Sequence, residues 1–319
     1  GITNYDGQFR KTEVKANRGD VKLTARNGYF ALPADVRLSG LLPFEAPLIK
    51  ALTANPLPRE VQFRSAAVKF AASPQGTHEE VLIEVPLANL TYREDPATKT
   101  YNARVSVIAV LKDQKGEIVQ KLSRDLPLRG PIEQAEQVKK GNFLYKEHFT
   151  VPPGRYTLDT AVMDREANKI GTKRAAMNVA PKAPGVALST MTLVRRFQPK
   201  ATDLDPQEDF EFQGGRITPT LGNTITNGKG SMLSIFFVVY PDPAIAEKPS
   251  LVLEYIKDGQ VAGRGAVELP AADAKGRIAY VMSSSAETMP PGNYEIRAVV
   301  KQGSSAAEDR AFVTVESGS

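Results

Sequence analysis

One turn occurs twice in this chain, and it limits what the chain can fold into. Val151-Pro152-Pro153-Gly154-Arg155-Tyr156-Thr157-Leu158 returns as Met289-Pro290-Pro291-Gly292-Asn293-Tyr294-Glu295-Ile296. A proline pair has no amide hydrogens and a fixed φ, so it ends the strand before it. The glycine reaches backbone conformations that other residues resist. A new strand then starts in register: Tyr156, Leu158, Thr160 and Val162 share one face, as do Tyr294, Ile296, Ala298 and Val300. These are core-facing sets, with the tyrosine hydroxyls expected at the rim. Each copy leads to a closing strand, Met177-Asn178-Val179 or Phe312-Val313-Thr314-Val315. A repeat of this kind predicts two similar β-domains in tandem.

Strand signals fill the chain around the two turns. The first set is 61–72, 79–86, 101–111, 117–126, 143–151, 155–162 and 169–179, with a helical interruption over 132–140. The second set is 186–195, 231–240, 251–257, 260–269, 277–282, 294–300 and 309–315. The hairpin loop Lys112-Asp113-Gln114-Lys115-Gly116 in the first set is matched by Asp258-Gly259 in the second. Seven short strands with regular turns predict a β-sandwich in each half. Upstream, residues 8–26 read as a β-hairpin turning at Asn17-Arg18-Gly19-Asp20. Prolines at 33, 43, 47, 56 and 58 confine Leu48–Leu52 to a short helix in a connector. The fold class is therefore all-β: two tandem immunoglobulin-like sandwiches preceded by a β-hairpin remnant of an upstream domain. The expected domains are 1–31, 32–58, 59–182 and 183–319.

The chemistry-bearing residues are sparse. There is no Cys, which removes disulfides, thiolate metal sites and cysteine nucleophiles. The two histidines, His78 and His148, are too few for the usual zinc sites and have no Gly-x-Ser-x-Gly elbow or Walker loop beside them. No catalytic residue, cofactor-binding residue, metal ligand or cofactor is expected. Asp203-Leu204-Asp205-Pro206-Gln207-Glu208-Asp209-Phe210-Glu211 is the densest carboxylate cluster, but it lacks an EF-hand pattern and reads as a solvated loop. Arg18-Gly19-Asp20 is explained by its hairpin turn.

The net charge of +5 is concentrated near the start, where residues 1–30 hold six basic residues against three acidic ones. The basic residues alternate along a hairpin without interleaved aromatics, so no nucleic-acid partner is expected. No apolar run is long enough to span a membrane. The chain starts at Gly1 rather than Met, and we read it as the trimmed end of a longer protein.

One anomaly stands out. A sandwich strand usually has one apolar and one polar face. In 232–240, Leu233, Ile235, Phe237 and Val239 form one face, while Phe236, Val238 and Tyr240 make the other apolar too. Ile108 and Val110 behave likewise opposite Val105, Val107 and Leu111. Packing between the sandwiches or a crossing loop would cover such faces; otherwise Phe236, Phe237, Val238 and Tyr240 mark an interaction surface for a protein partner.

Asp6-Gly7-Gln8-Phe9-Arg10-Lys11, Val14-Lys15 and Ala25-Arg26-Asn27-Gly28-Tyr29-Phe30 resemble the end of the von Willebrand factor type A domain in bacterial VWFA-related proteins of the Acidobacteria type. The segments 151–158, Leu188-Ser189, Arg216-Ile217-Thr218-Pro219 and 236–240 fit the same proteins. The resemblance implies an exported, extracytoplasmic multidomain protein whose A-domain carries an Asp-x-Ser-x-Ser adhesion motif. That motif is absent here, so no metal ligand carries over. The expected function is a non-enzymatic accessory, scaffold or protein-interaction module, its partner an unknown protein or the upstream domain of its own chain. A carbohydrate-binding accessory module is the alternative, disfavoured by the absence of Trp.

Overall fold

The computed structural model describes residues 9–11, 28–31, 41–199, 203–205 and 208–318. The chain is all-β. Its strands are β1 (Phe9–Lys11), β2 (Gly28–Phe30), β3 (Arg64–Ser73), β4 (Gly76–Pro86), β5 (Arg93–Asp95), β6 (Thr100–Lys112), β7 (Ile118–Pro131), β8 (Asn142–Val151), β9 (Gly154–Asp164) and β10 (Lys169–Val179). There follow β11 (Ala187–Leu188), β12 (Thr192–Pro199), β13 (Glu211–Phe212), β14 (Gly215–Thr220), β15 (Thr224–Thr226), β16 (Met232–Tyr240), β17 (Ser250–Lys257), β18 (Gln260–Val267), β19 (Ile278–Ser285), β20 (Gly292–Gln302) and β21 (Ser305–Glu316). Two short helices interrupt them, α1 (Glu45–Leu52) and α2 (Ala135–Lys139). Near the start, β1 pairs antiparallel with β2, Phe9 opposite Phe30. The turn at Asn17–Asp20 and the strand expected at 21–25 lie outside the described residues.

Contacts divide the chain into two compact units. Unit 1 holds residues 1–66, 81–149 and 153–180; unit 2 holds 67–80, 150–152 and 181–319. The division cuts β3, β4 and β8, so residues 67–73, 76–80 and 150–151 of those strands are counted with unit 2. Within unit 2 the Phe70 ring meets Phe210 edge-on at 5.3 Å, the Thr190 amide donates to the Lys69 carbonyl, and the Lys69 amide donates to the Thr190 hydroxyl.

In unit 1, β6 is the central strand of a sheet. It pairs with β7 along its whole length on one edge and with β9 and β5 on the other; β10 follows β9. A second sheet runs β3-β4-β8. Between β8 and β9 the chain passes from one sheet to the other through Pro152-Pro153. The outward face of the β6 sheet explains the doubly apolar strand. Helix α1 lies on it, packing Leu48, Ile49 and Leu52 against Ile108, Val110, Ala161 and Met163. The segment expected to be a mere connector is therefore part of a core. Glu45 pins the helix: its carboxylate is 1% exposed and accepts Lys121 Nζ, the Ser123 hydroxyl and the Leu42 amide. Pro47 fits because it sits in the first turn, whose amides need no intrahelical acceptor.

Unit 2 repeats the arrangement. The sheet β15-β21-β20-β17-β18 faces one in which β16 is flanked by β19 on one edge and by β11 and β12 on the other, with β14 and β13 beyond β12. Hairpin β17–β18 takes the place of β6–β7, and Pro290-Pro291 the place of Pro152-Pro153. Leu233, Ile235, Phe237 and Val239 of β16 interdigitate with Leu253, Ile296, Val300 and Val313 of the opposite sheet to form one core. These are two antiparallel layers of the immunoglobulin-like kind. Strand β15 adds a parallel edge beside β21.

The turn differs between copies. Gly292 adopts φ 146°, and a Cβ there would fall 2.8 Å from Lys257 Cε. Tyr294 is buried and donates its hydroxyl to the Pro290 carbonyl at 2.8 Å, the tyrosine corner of such sandwiches. Tyr156 is only half-buried, and its ring borders a groove. The strand expected over 186–195 is broken at Ser189. There the Ser189 amide donates to the Val238 carbonyl, and its hydroxyl accepts the Val238 amide at 2.8 Å.

Candidate functional site

The residues singled out on β16 are inside unit 2. Phe236, Phe237 and Val238 are each 0% exposed, and Tyr240 is half-buried. Phe237 belongs to the sandwich core, its ring 5.7 Å from Tyr280. Phe236 points to the other face and is roofed by Phe210 at 5.8 Å and Phe212 at 5.6 Å. Burial pushes the Tyr240 hydroxyl well above the usual range, and the nearby Asp209 charge adds to it. Phe236 is thus covered by a segment of its own unit, and Phe236, Phe237 and Val238 offer no open surface.

The acidic segment 203–211 spends its described carboxylates separately. Glu211 accepts Arg216 Nε and the Asp205 amide. Asp209 is 2.5 Å from His78 Nε2. Asp203 is a largely exposed side chain 3.4 Å from Arg216. Among the described residues no cluster of three or more His, Asp or Glu side chains is arranged to hold a metal ion. His148 is an exposed residue of β8.

Sequence reading missed three surface features. The first is a groove of about 510 Å³ at the Pro-Pro-Gly end of unit 1, between the β6–β7 loop, the start of β9 and the residues after α1. Its floor holds Asp159, 1% exposed, whose two oxygens accept Arg174 Nε at 2.6 Å and Nη2 at 3.0 Å. Lys112 Nζ lies 3.2 Å from the same carboxylate. The paired carboxylate holds the Arg174 guanidinium above its ordinary pKa. The alternation of polar Asp159 with Leu158 and Thr160 was visible, but nothing local told that Lys112 and Arg174 would meet it.

The second is a groove of about 460 Å³ in unit 2. Phe197 and Phe212, stacked 13° from parallel, border it along with Tyr280, Gln213, Asp273 and Arg277.

The third is the free edge of β18. This strand, Gln260-Val261-Ala262-Gly263-Arg264-Gly265-Ala266-Val267, pairs with β17 alone among the described strands. Opposite Leu253 and Tyr255 it places Gly265 and Gly263, so it adds little to the core. Val261 is 53% exposed. The corresponding strand of unit 1, β7, carries Pro127, Pro131, Lys121, Arg124 and Arg129. Prolines and charges of that sort are how edges are kept from pairing; β18 has only Arg264, held 3.4 Å from Glu254.

No family model matches the chain, and no curated protein matches it. Among solved structures it is similar to an ICAM-5 D1–D4 ectodomain fragment at 11% identity and TM-score 0.25, over 81% of this chain and 54% of that one. It is also similar to the C-terminal domain of the AgI/II polypeptide BspA of Streptococcus agalactiae, at 10% identity and TM-score 0.23, over 79% of this chain and all of that one. Fibronectin(III)-like modules of Clostridium thermocellum CbhA give 14% identity and TM-score 0.19, over 79% of this chain and 95% of theirs. Likenesses this distant say nothing of function. No helix among the described residues is long and apolar enough to cross a membrane.

Proposed function

We propose that this chain is a non-enzymatic protein-interaction module, and that it captures an extended partner segment along the edge of β18. The unguarded edge carries the reading. About half of its eight residues turn their backbone N–H and C=O groups away from β17 to the open side. Arg264, largely exposed beyond its 3.4 Å contact with Glu254, favours a partner strand with an acidic residue opposite it over a second copy of the same strand. The resemblance of residues 6–30 to the end of a von Willebrand factor A-type domain favours an exported, extracytoplasmic setting in a longer bacterial protein.

The test is a double variant, Val261→Lys with Ala266→Lys. Both side chains are exposed, so the circular dichroism spectrum and Tm should stay those of the parent. Cross-linked capture of partner proteins from the source cell envelope should be lost. Undiminished capture by the folded variant would reject the edge as the interaction site.

A second reading, carbohydrate binding, draws support from the Phe197–Phe212 groove. Stacked rings beside Gln213, Asp273 and Arg277 are suited to the apolar face and the hydroxyls of a sugar. On this reading a glycan array gives binding that Phe197→Ala abolishes. A silent array disposes of it.

A further inference from the structure

The geometry points to a second recognition site: the groove at the Pro-Pro-Gly end of unit 1 receives a carboxylate side chain of an acidic peptide segment, bound by Arg155, Lys112 and Arg174. This deepens the interaction reading above and rests on it.

Three cations line the groove, Lys112, Arg155 and Arg174, against two carboxylates, Asp113 and Asp159. Both carboxylates are already engaged within the protein. Asp159 is consumed by the two-pronged bond from Arg174 and by Lys112. Asp113 turns Oδ1 to the amides of Lys115 and Glu117, each at 2.9 Å, and so braces its own loop.

The buried Asp159 therefore works as an anchor. It fixes two cations at the floor of an open groove while leaving part of their donor capacity unused: Arg174 has five N–H groups and Lys112 three. Arg155 is exposed and makes no ion pair with any described carboxylate. An excess of one positive charge, presented by preordered donors, matches a singly charged carboxylate better than a phosphate dianion. Leu52 and Ala54 border the same groove and give the methylenes of a Glu side chain an apolar wall.

The experiment uses the full chain, with fluorescence anisotropy of labelled hexaglutamate and hexalysine peptides at low ionic strength. Hexaglutamate should bind, hexalysine should not, and added salt should weaken binding steeply. Arg155→Ser should weaken hexaglutamate binding roughly tenfold at unchanged Tm, since it removes one charge-assisted donor from an exposed position. Arg155→Lys should restore part of the loss.

Three results overturn the assignment. One is no hexaglutamate binding at low salt. Another is equal binding by Arg155→Ser. The third is displacement of the peptide by inorganic phosphate beyond what chloride of equal ionic strength achieves, which makes the groove a site for free oxyanions. The Val261→Lys/Ala266→Lys variant is measured in parallel. It should bind hexaglutamate like the parent, so failure at the groove and failure at the β18 edge are told apart.

Discussion

Aspartate at position 237 is expected to unfold unit 2, and aspartate at 236 to do nearly the same, although the two side chains point to opposite faces of one strand. Phe237 is fully buried among Ile235, Leu253 and Ile296, with Tyr280 against its ring. Removing a buried Phe side chain costs about 3–5 kcal/mol, and an unpaired carboxylate in its place adds a desolvation cost of several more. That is comparable to the total stability of a typical domain, about 5–15 kcal/mol. On an exposed outer face, Phe236→Asp would be nearly silent. Here Phe236 is also 0% exposed, held by Phe210 and Phe212, so the same arithmetic applies.

The informative difference lies in how the two proteins fail. Phe237→Asp breaks the contact between the sheets and should abolish the cooperative transition. Phe236→Asp first frees the segment that roofs it, so proteolysis should cut near residues 203–214 before the rest of the unit melts. Thermal unfolding followed by circular dichroism, with limited proteolysis, reads both. If either variant kept the parent Tm, its face of β16 would be open to solvent after all.

That strand also marks the limit of what could be read in advance. The repeated Pro-Pro-Gly-x-Tyr turn, the loops at 112–116 and 258–259 and most long strands were legible. Each is set by local chemistry: a missing amide, a tolerated φ, or side-chain alternation. The apolar second faces of 105–111 and 232–240 were legible as a demand for a cover. The identity of the cover was not. Helix α1 looked like a proline-bounded connector, because the contacts that make it core lie across to Ile108 and Met163. Phe210 sat inside what read as a solvated acidic loop, and Phe212 directly after it.

Strands β13, β14 and β15 were missed for another reason. They are short, β14 opens on Gly215 and contains Pro219, and so pairing of β13 with β14, β14 with β12 and β15 with β21, rather than their own sequence, makes them strands. The Asp159 groove and the His78–Asp209 pair join residues far apart in the chain, and no spacing rule connects them.

The largest pH effect is expected around the tip of β3–β4, and its sign can be fixed. Glu79 is 5% exposed, and burial raises its carboxyl to about 7 from 4.5, with Lys69 and His78 pulling the other way. The hydrogen bond to Asp209 raises His78 above 6.5, opposed by burial and helped by the charges of Asp209, Glu80 and Glu79. Asp309, which accepts the Met191 amide at 2.6 Å, is also raised by burial.

A group whose pKa is higher in the fold than in the unfolded chain binds more protons when folded. Its stabilisation is complete below the unfolded pKa and disappears as pH climbs through the folded one. Glu79 and His78 therefore act in the same direction: unit 2 should lose stability between about pH 5 and pH 8. For Glu79 alone, a rise from 4.5 to about 7 corresponds to about 3 kcal/mol. Glu79→Gln keeps the shape and removes the titration. The variant should therefore melt higher than the parent at pH 8 and show a flatter Tm profile, keeping the smaller His78 contribution. His78→Asn should remove that remainder. A parent Tm that is level or rising from pH 5 to 8 would mean that Glu79 is charged in the folded protein and reaches water or a cation.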